Sequence, residues 1–229
     1  MVGRSPLTGI IKAFLMKITL ASFTLTLAGI ASAQNLVQNG SFENGLFTDT
    51  YGYGYQFVEP FDTNFPSWMV SHYELLRGKN GVTYDGLTSS DGDYFLDLTG
   101  SQNNDMSVIT QTIQTTPGQH YRLSVDLGLA PHFNGYDQEG PITLRAHFGA
   151  DSSDFNYHPT VPGMDWKTFS ADFVAVDSFT QIQLEGVSKP SQNSFFGLDN
   201  VKVEAVPEPT TIAALGLGAV AMLRRRKRS

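Results

Sequence analysis

Tyr121-Arg122-Leu123-Ser124-Val125-Asp126-Leu127 alternates apolar and polar side chains without a break. A period of two places every second side chain on one face, which is the pattern of a half-buried β-strand. The same pattern recurs downstream. Ile142, Leu144, Ala146 and Phe148 alternate with Thr143, Arg145 and His147, and Phe169, Ala171 and Phe173 alternate with Ser170 and Asp172. Ile182 and Leu184 sit between Gln181, Gln183 and Glu185, and Val201 and Val203 flank Lys202. Trp68–Leu75, Tyr94–Leu98 and Val108–Gln114 are further strand candidates. Turn residues divide them at Asp91-Gly92, Thr116-Pro117-Gly118, Asn134-Gly135 and Pro162-Gly163. No segment of the middle sustains a helical period. One apolar face per strand requires two sheets packed face to face. The expected fold is all-β, a jelly-roll sandwich of about eight or nine strands.

Composition narrows the function classes. The chain has 229 residues, no cysteine and a formal charge of −7. The lack of cysteine excludes a disulfide scaffold, a thiol nucleophile and Cys-ligated metal. The charge is unevenly spread. Residues 34–206 hold 7 basic and 21 acidic residues, a net −14, whereas both ends are basic. That surface is wrong for nucleic acid, which needs cationic side chains to displace counterions.

The two ends read as export segments. Met16-Lys17 precedes an apolar run from Ile18 to Ile30 and the small-x-small site Ala31-Ser32-Ala33, so residues 1–33 are expected to be a signal peptide, with Met16 an alternative start. At the other end Pro207-Glu208-Pro209 is followed by an apolar stretch from Thr210 to Leu223 and by Arg224, Arg225, Arg226, Lys227 and Arg228. A short apolar helix with a basic cluster behind it acts as a stop-transfer element. The order of motif, helix and basic tail over 206–229 resembles the PEP-CTERM sorting signal of exopolysaccharide-producing Gram-negative bacteria. The resemblance implies transient partners, an exosortase and the secretion machinery, and contact with the membrane through the C-terminal helix before processing. It also implies sorting to the cell surface, outer membrane or extracellular matrix.

Residues 34–205 carry a second resemblance. Asn39-Gly40-Ser41-Phe42-Glu43, Trp68, Asp91-Gly92-Asp93-Tyr94-Phe95-Leu96-Asp97-Leu98, Thr116-Pro117-Gly118, Trp166 and Leu198-Asp199-Asn200-Val201 follow in that order. The order is similar to that of galactose-binding-like jelly rolls, the fold of many carbohydrate-binding modules. In such modules the acid after the N-terminal Gly-x-Phe and the acid before the last strand help to hold a structural Ca²⁺ with backbone carbonyls. Carried over, these are Glu43 and Asp199. Asp91 and Asp93 could add hard oxygens, although position six from Asp91 is Leu96 and not the glycine of an EF-hand.

Two segments are candidates for ligand binding. In Tyr51-Gly52-Tyr53-Gly54-Tyr55 flat rings alternate with glycine, and rings can stack on the C–H face of a sugar while amides and acids bond its hydroxyls. Packing of the same rings under a loop is the competing reading. The loop 131–140 offers His132, Asn134, Tyr136 and Asp137 between two strong strands, the kind of place where function concentrates. No catalytic residue is expected: there is no G-x-S-x-G or H-E-x-x-H motif, and the five histidines lack metal-ligand spacing. The expectation is therefore an exported, non-catalytic module that binds carbohydrate or exopolysaccharide. Its rivals are a purely structural matrix protein, a protein-binding adhesin and a glycan-active hydrolase.

Overall fold

The computed structural model describes residues 34–49, 51–83, 87–100, 106–129, 132–133, 136–137, 141–158, 165–188 and 195–207. The chain divides into Met1–Ser32 and Ala33–Ser229, and the fold is that of the second unit. The expected signal peptide, Glu208, Pro209, the apolar stretch 210–223 and the basic tail lie outside the described residues.

Two antiparallel sheets form the sandwich. The first has six strands in the order β1 (Tyr55–Val58), β3 (Leu75–Lys79), β4 (Tyr94–Asp97), β13 (Gly197–Ala205), β6 (His120–Leu129) and β11 (Asp165–Val174). The second has five, in the order β10 (Asp151–Tyr157), β9 (Ile142–Phe148), β12 (Phe179–Ser188), β5 (Val108–Gln114) and β2 (Met69–Ser71). A separate ribbon pairs β7 (His132–Phe133) with β8 (Tyr136–Asp137). The sandwich is all-β, as the alternation requires. Leu123, Val125 and Leu127 of β6 face inward beside Phe173 of β11 and Val201 and Val203 of β13, and meet Leu144, Ala146, Ile182 and Leu184 of the other sheet in one core.

The strand count exceeds the expected one for physical reasons. Trp68–Leu75 is not one strand: β2 joins the five-stranded sheet and β3 the six-stranded one. His72 between them takes a left-handed φ of 75°, which breaks the extended chain and lets it cross from layer to layer. Strand β10 escapes the pattern because it is an edge strand. Only Phe155 and Tyr157 are buried, while Asp151, Ser152 and Asp154 face water.

The segment Asn39-Gly40-Ser41-Phe42 ties the beginning of the domain to its last strand. Leu36 N donates to Val203 O at 2.8 Å, Val203 N to Asn35 Oδ1 at 2.9 Å and Val201 N to Gly40 O at 2.9 Å. Asn39 bridges locally: its Oδ1 accepts Asn44 N at 2.8 Å and its main-chain oxygen accepts Trp68 Nε1 at 2.9 Å. Phe42 is fully buried against Phe65 and Trp68, with ring centroids 6.1 and 5.9 Å away. Trp68 is thus a core residue with its N–H satisfied.

Candidate functional site

The Tyr-Gly repeat folds into an exposed aromatic edge. Gly52 and Gly54 take φ values of 78° and 79°, the left-handed region that glycine enters without steric cost. The carboxylate of Asp49 holds the bend. Its Oδ1 accepts Gly52 N at 2.8 Å and Tyr53 N at 3.1 Å, and its Oδ2 accepts Gly54 N at 3.0 Å. Those bonds draw the Asp49 pKa below the usual carboxylate value in spite of desolvation, which acts the other way. The rings consequently gather. Tyr53 stacks on Tyr55 at 6.3 Å, Tyr55 meets Phe57 edge-on at 5.5 Å, and Tyr51 meets both Tyr55 and Phe57 at 6.4 and 6.2 Å. Tyr51 and Tyr53 are 65% and 64% exposed. Tyr51 and Tyr53 are therefore presented outward just ahead of edge strand β1, while Tyr55 and Phe57 on the strand are half-buried.

The acids Glu43, Asp91, Asp93 and Asp199 converge on one turn, residues 90–94. Glu43 Oε1 accepts Asp93 N and Tyr94 N, both at 2.9 Å. Asp199 Oδ2 accepts Ser90 N and Asp91 N, both at 2.9 Å, while its Oδ1 accepts Asn200 N at 2.7 Å. Ser41 Oγ donates to Asp91 Oδ2 at 2.5 Å. Asp199 is fully buried and lies opposite Asp126 in the ladder. Ser90 Oγ donates to Asp126 Oδ2 at 2.8 Å and to Asp199 Oδ2 at 3.3 Å. Burial pushes the Asp199 carboxyl up to about 7, against four hydrogen bonds that favour its charge. Among the described residues, no three acidic or histidine side chains are placed to share one metal ion. Glu43 and Asp199 are engaged with N–H groups of the turn, and Asp91 and Asp126 with the hydroxyls of Ser41 and Ser90.

Beside this turn sits a residue that the sequence reading missed. Arg77 of β3 is 1% exposed. Its guanidinium lies 4.1 Å from the centroid of Tyr94 and 5.8 Å from that of Phe47, and Nη1 donates to Gly45 O at 3.3 Å. Nε and Nη2 find no partner among the described residues. Burial lowers its pKa, opposed by Tyr94 and Glu43. An arginine directly after the apolar pair Leu75-Leu76 was the available signal.

The second candidate loop becomes the β7–β8 ribbon, in which His132 pairs with Asp137 and Phe133 with Tyr136. Asn134 lies outside the described residues. The sequence reading also passed over the outer face of the five-stranded sheet. Thr110, Thr112 and Gln181 line a shallow groove of about 370 Å³ with Ser67, Trp68 and Met69. Further along the face the polar groups satisfy one another: Arg145 grips Asp154 at 2.7 and 2.9 Å, and Thr143 bonds Asn156 at 2.8 Å. The alternate Gln and Thr residues of β5 and β12 were legible as outward-facing, but nothing in the pattern marked them as a groove.

The last strand hands the chain over to its tail. Ala205 still pairs with Tyr121, and Val206 N donates to His120 O at 2.9 Å, immediately before Pro207. From there the sequence matches a family model, the PEP-CTERM protein-sorting motif, over residues 205–228. The chain carries a PEP-CTERM sorting signal. It is accordingly an exported protein.

Other likenesses are more distant. Halomucin of Haloquadratum walsbyi is 30% identical over 221 residues, covering 91% of this chain. The chain spans only 2% of that protein's length. Among solved structures, TmCBM61 in complex with β-1,4-galactotriose is 13% identical, with a TM-score of 0.45 over 76% of this chain and 100% of the module. The CBM22-1 xylan-binding domain of Paenibacillus barcinonensis Xyn10C is 11% identical, with a TM-score of 0.40 over 72% of this chain and 97% of the other.

Proposed function

We propose that this PEP-CTERM protein is a non-catalytic module that holds polysaccharide at the Gram-negative cell surface or in its matrix. One observation carries the reading: two tyrosines about two-thirds exposed, in a four-ring cluster whose bend is fixed by three hydrogen bonds to Asp49. Exposed rings held in place by the backbone present a stacking surface whose ordering is already complete before a ligand arrives. The hydroxyls of Tyr51 and Tyr53 supply polar contacts at the ring edges. Single contacts of this kind are weak, and many copies along one polymer raise the avidity. The test is affinity electrophoresis of the domain in gels cast with the host's own polysaccharide. Retardation is expected for the native domain and is lost in a Y51A/Y53A variant, whereas Q181A in the shallow groove behaves as native. Retardation abolished by Q181A and untouched by Y51A/Y53A would move the site to the five-stranded sheet.

The acid-lined turn supports a second element of the same proposal, a structural Ca²⁺ held by Glu43 and Asp199. The donor chemistry fits: hard carboxylate oxygens come from the first and last segments of the domain and meet on one turn, and Asp199 is a buried acid. The ion would neutralise the turn and join the two chain ends. At a hundredfold excess of Ca²⁺ over its dissociation constant the domain gains about 2.7 kcal/mol. For a domain of this size that raises the melting temperature by roughly 5–10 °C relative to EDTA. Equal melting temperatures with Ca²⁺ and with EDTA would remove the ion from the account.

A further inference from the structure

Both ends of the described chain leave the sandwich at one pole. Gln34, the first residue after the expected cleavage site, shares a shallow depression with Ala205 and Tyr121. Val206 is fixed at the same pole by His120 O at 2.9 Å and by Gln119 Nε2, which donates to Val206 O at 3.0 Å. His120 pairs on its other side with Val174 at the end of β11. The turn that follows packs against the same loop, since Gly118 N donates to Ala175 O at 2.7 Å and Ala175 N to Gln119 O at 3.1 Å.

This turn is apolar where it meets water. Val176 is 74% exposed, Phe179 64% and Val174 42%. Asp177 is the one charged residue in 174–179, in a domain whose net charge is −14. Val174 stands on the outer face of one sheet and Phe179 on the outer face of the other, so the tip is a wedge with an apolar side chain on each flank. Three exposed apolar side chains thus fall within six residues at one tip, and clustered exposed apolar groups mark contact surfaces.

The chain beyond the pole says what the surface meets. Four Cα steps separate Val206 from Thr210, where the apolar stretch begins, and they reach at most about 14 Å. We propose that this pole is a membrane-facing surface: while the sorting segment is in place, Val174, Val176 and Phe179 enter the interfacial layer of the bilayer. The proposal rests on the reading that residues 210–223 engage the membrane before processing. The short C-terminal tether brings the pole within reach of lipid, and an apolar tip with one charged residue is what an interfacial layer accepts. Removal of the tail would then free the domain, since three side chains alone make a weak anchor.

The absence of cysteine makes single-site labelling direct. The full chain with V176C, F179C or V187C, each spin-labelled, is reconstituted into vesicles of phosphatidylethanolamine and phosphatidylglycerol. Val187 is 40% exposed and stands eight residues up β12 from Phe179, roughly 26 Å away. In the floated fraction, labels at 176 and 179 should show raised access to oxygen and several-fold lower access to a nickel chelate than the label at 187. Equal nickel access at 176 and 187 in floated protein overturns the proposal while leaving the membrane reading of the tail intact. Labels shielded from both reagents would show a protein contact instead and overturn it too. Failure of the chain to float would remove the membrane reading itself, and the proposal with it.

Discussion

Replacing Gly40 by alanine is expected to destabilise the domain by about 3 kcal/mol, the scale of a severe steric substitution in a packed site. A Cβ at this position would lie 2.0 Å from the main-chain oxygen of Val201 and 3.1 Å from its carbonyl carbon. Both are backbone atoms and cannot swing aside as the end of a side chain could. The chain around Gly40 has little freedom to retreat. Asn39 and Phe42 already hold left-handed φ values of 54° and 59°, and Gly40 O accepts Val201 N at 2.9 Å. Relief would have to come from β13, which is itself irregular between Asp199 and Lys202. Thermal unfolding should show the midpoint falling by roughly 6–12 °C. Gly52→Ala is the control. It also has a positive φ, but nothing lies within 4 Å of its added Cβ, so it should cost only about 1–2 kcal/mol. Equal losses from the two variants would mean that the approach of Gly40 to Val201 is not what fixes the N-terminal segment.

Arg77 yields the second large effect, through the contrast between two replacements. R77A removes a fully buried side chain from between Phe47, Tyr94 and Gly45, and should cost about 3 kcal/mol, as large-to-small changes in a core do. R77M refills the volume without the charge. Nε and Nη2 have no partner among the described residues, so their desolvation is uncompensated. Replacing a buried ion by an apolar side chain of similar volume is commonly neutral or stabilising. R77M should therefore unfold within about 1 kcal/mol of the native domain in urea, or above it. A loss as large as that of R77A would show that the cation, through Tyr94 and Glu43, holds this corner of the sandwich together.

The layers of the sandwich were readable because burial enforces alternation. Each central strand packs one face on the core, and the Leu123, Ile182 and Val201 patterns report that directly. The edges obeyed other rules. Strand β10 has polar residues on most of its positions because an edge strand need bury little, and the short β1 follows directly on the Tyr-Gly repeat, whose Gly52 and Gly54 are left-handed. The convergence of Glu43 and Asp199 on one turn came from a family likeness and not from spacing, since 156 positions separate them in the chain. The outward direction of Tyr51 and Tyr53 needed three dimensions: whether a ring packs or projects depends on the bend fixed by Asp49. The apolar pole needed them too. Val176 and Phe179 acquire meaning only when Gln34 and Val206 are found beside the same turn.

The most direct test of the glycan-holding account follows side-chain resonances of the exported domain by NMR during titration with the host's polysaccharide. Stacking on the aromatic edge predicts saturable shifts at Tyr51 and Tyr53 first, with Tyr55 and Phe57 following through ring contact. The shifts should be abolished in Y51A/Y53A, whose fold is checked by unaltered signals from the Leu123 and Ile182 core. Shifts confined to Thr110, Thr112 and Gln181, or no shifts at saturating polysaccharide, would contradict it.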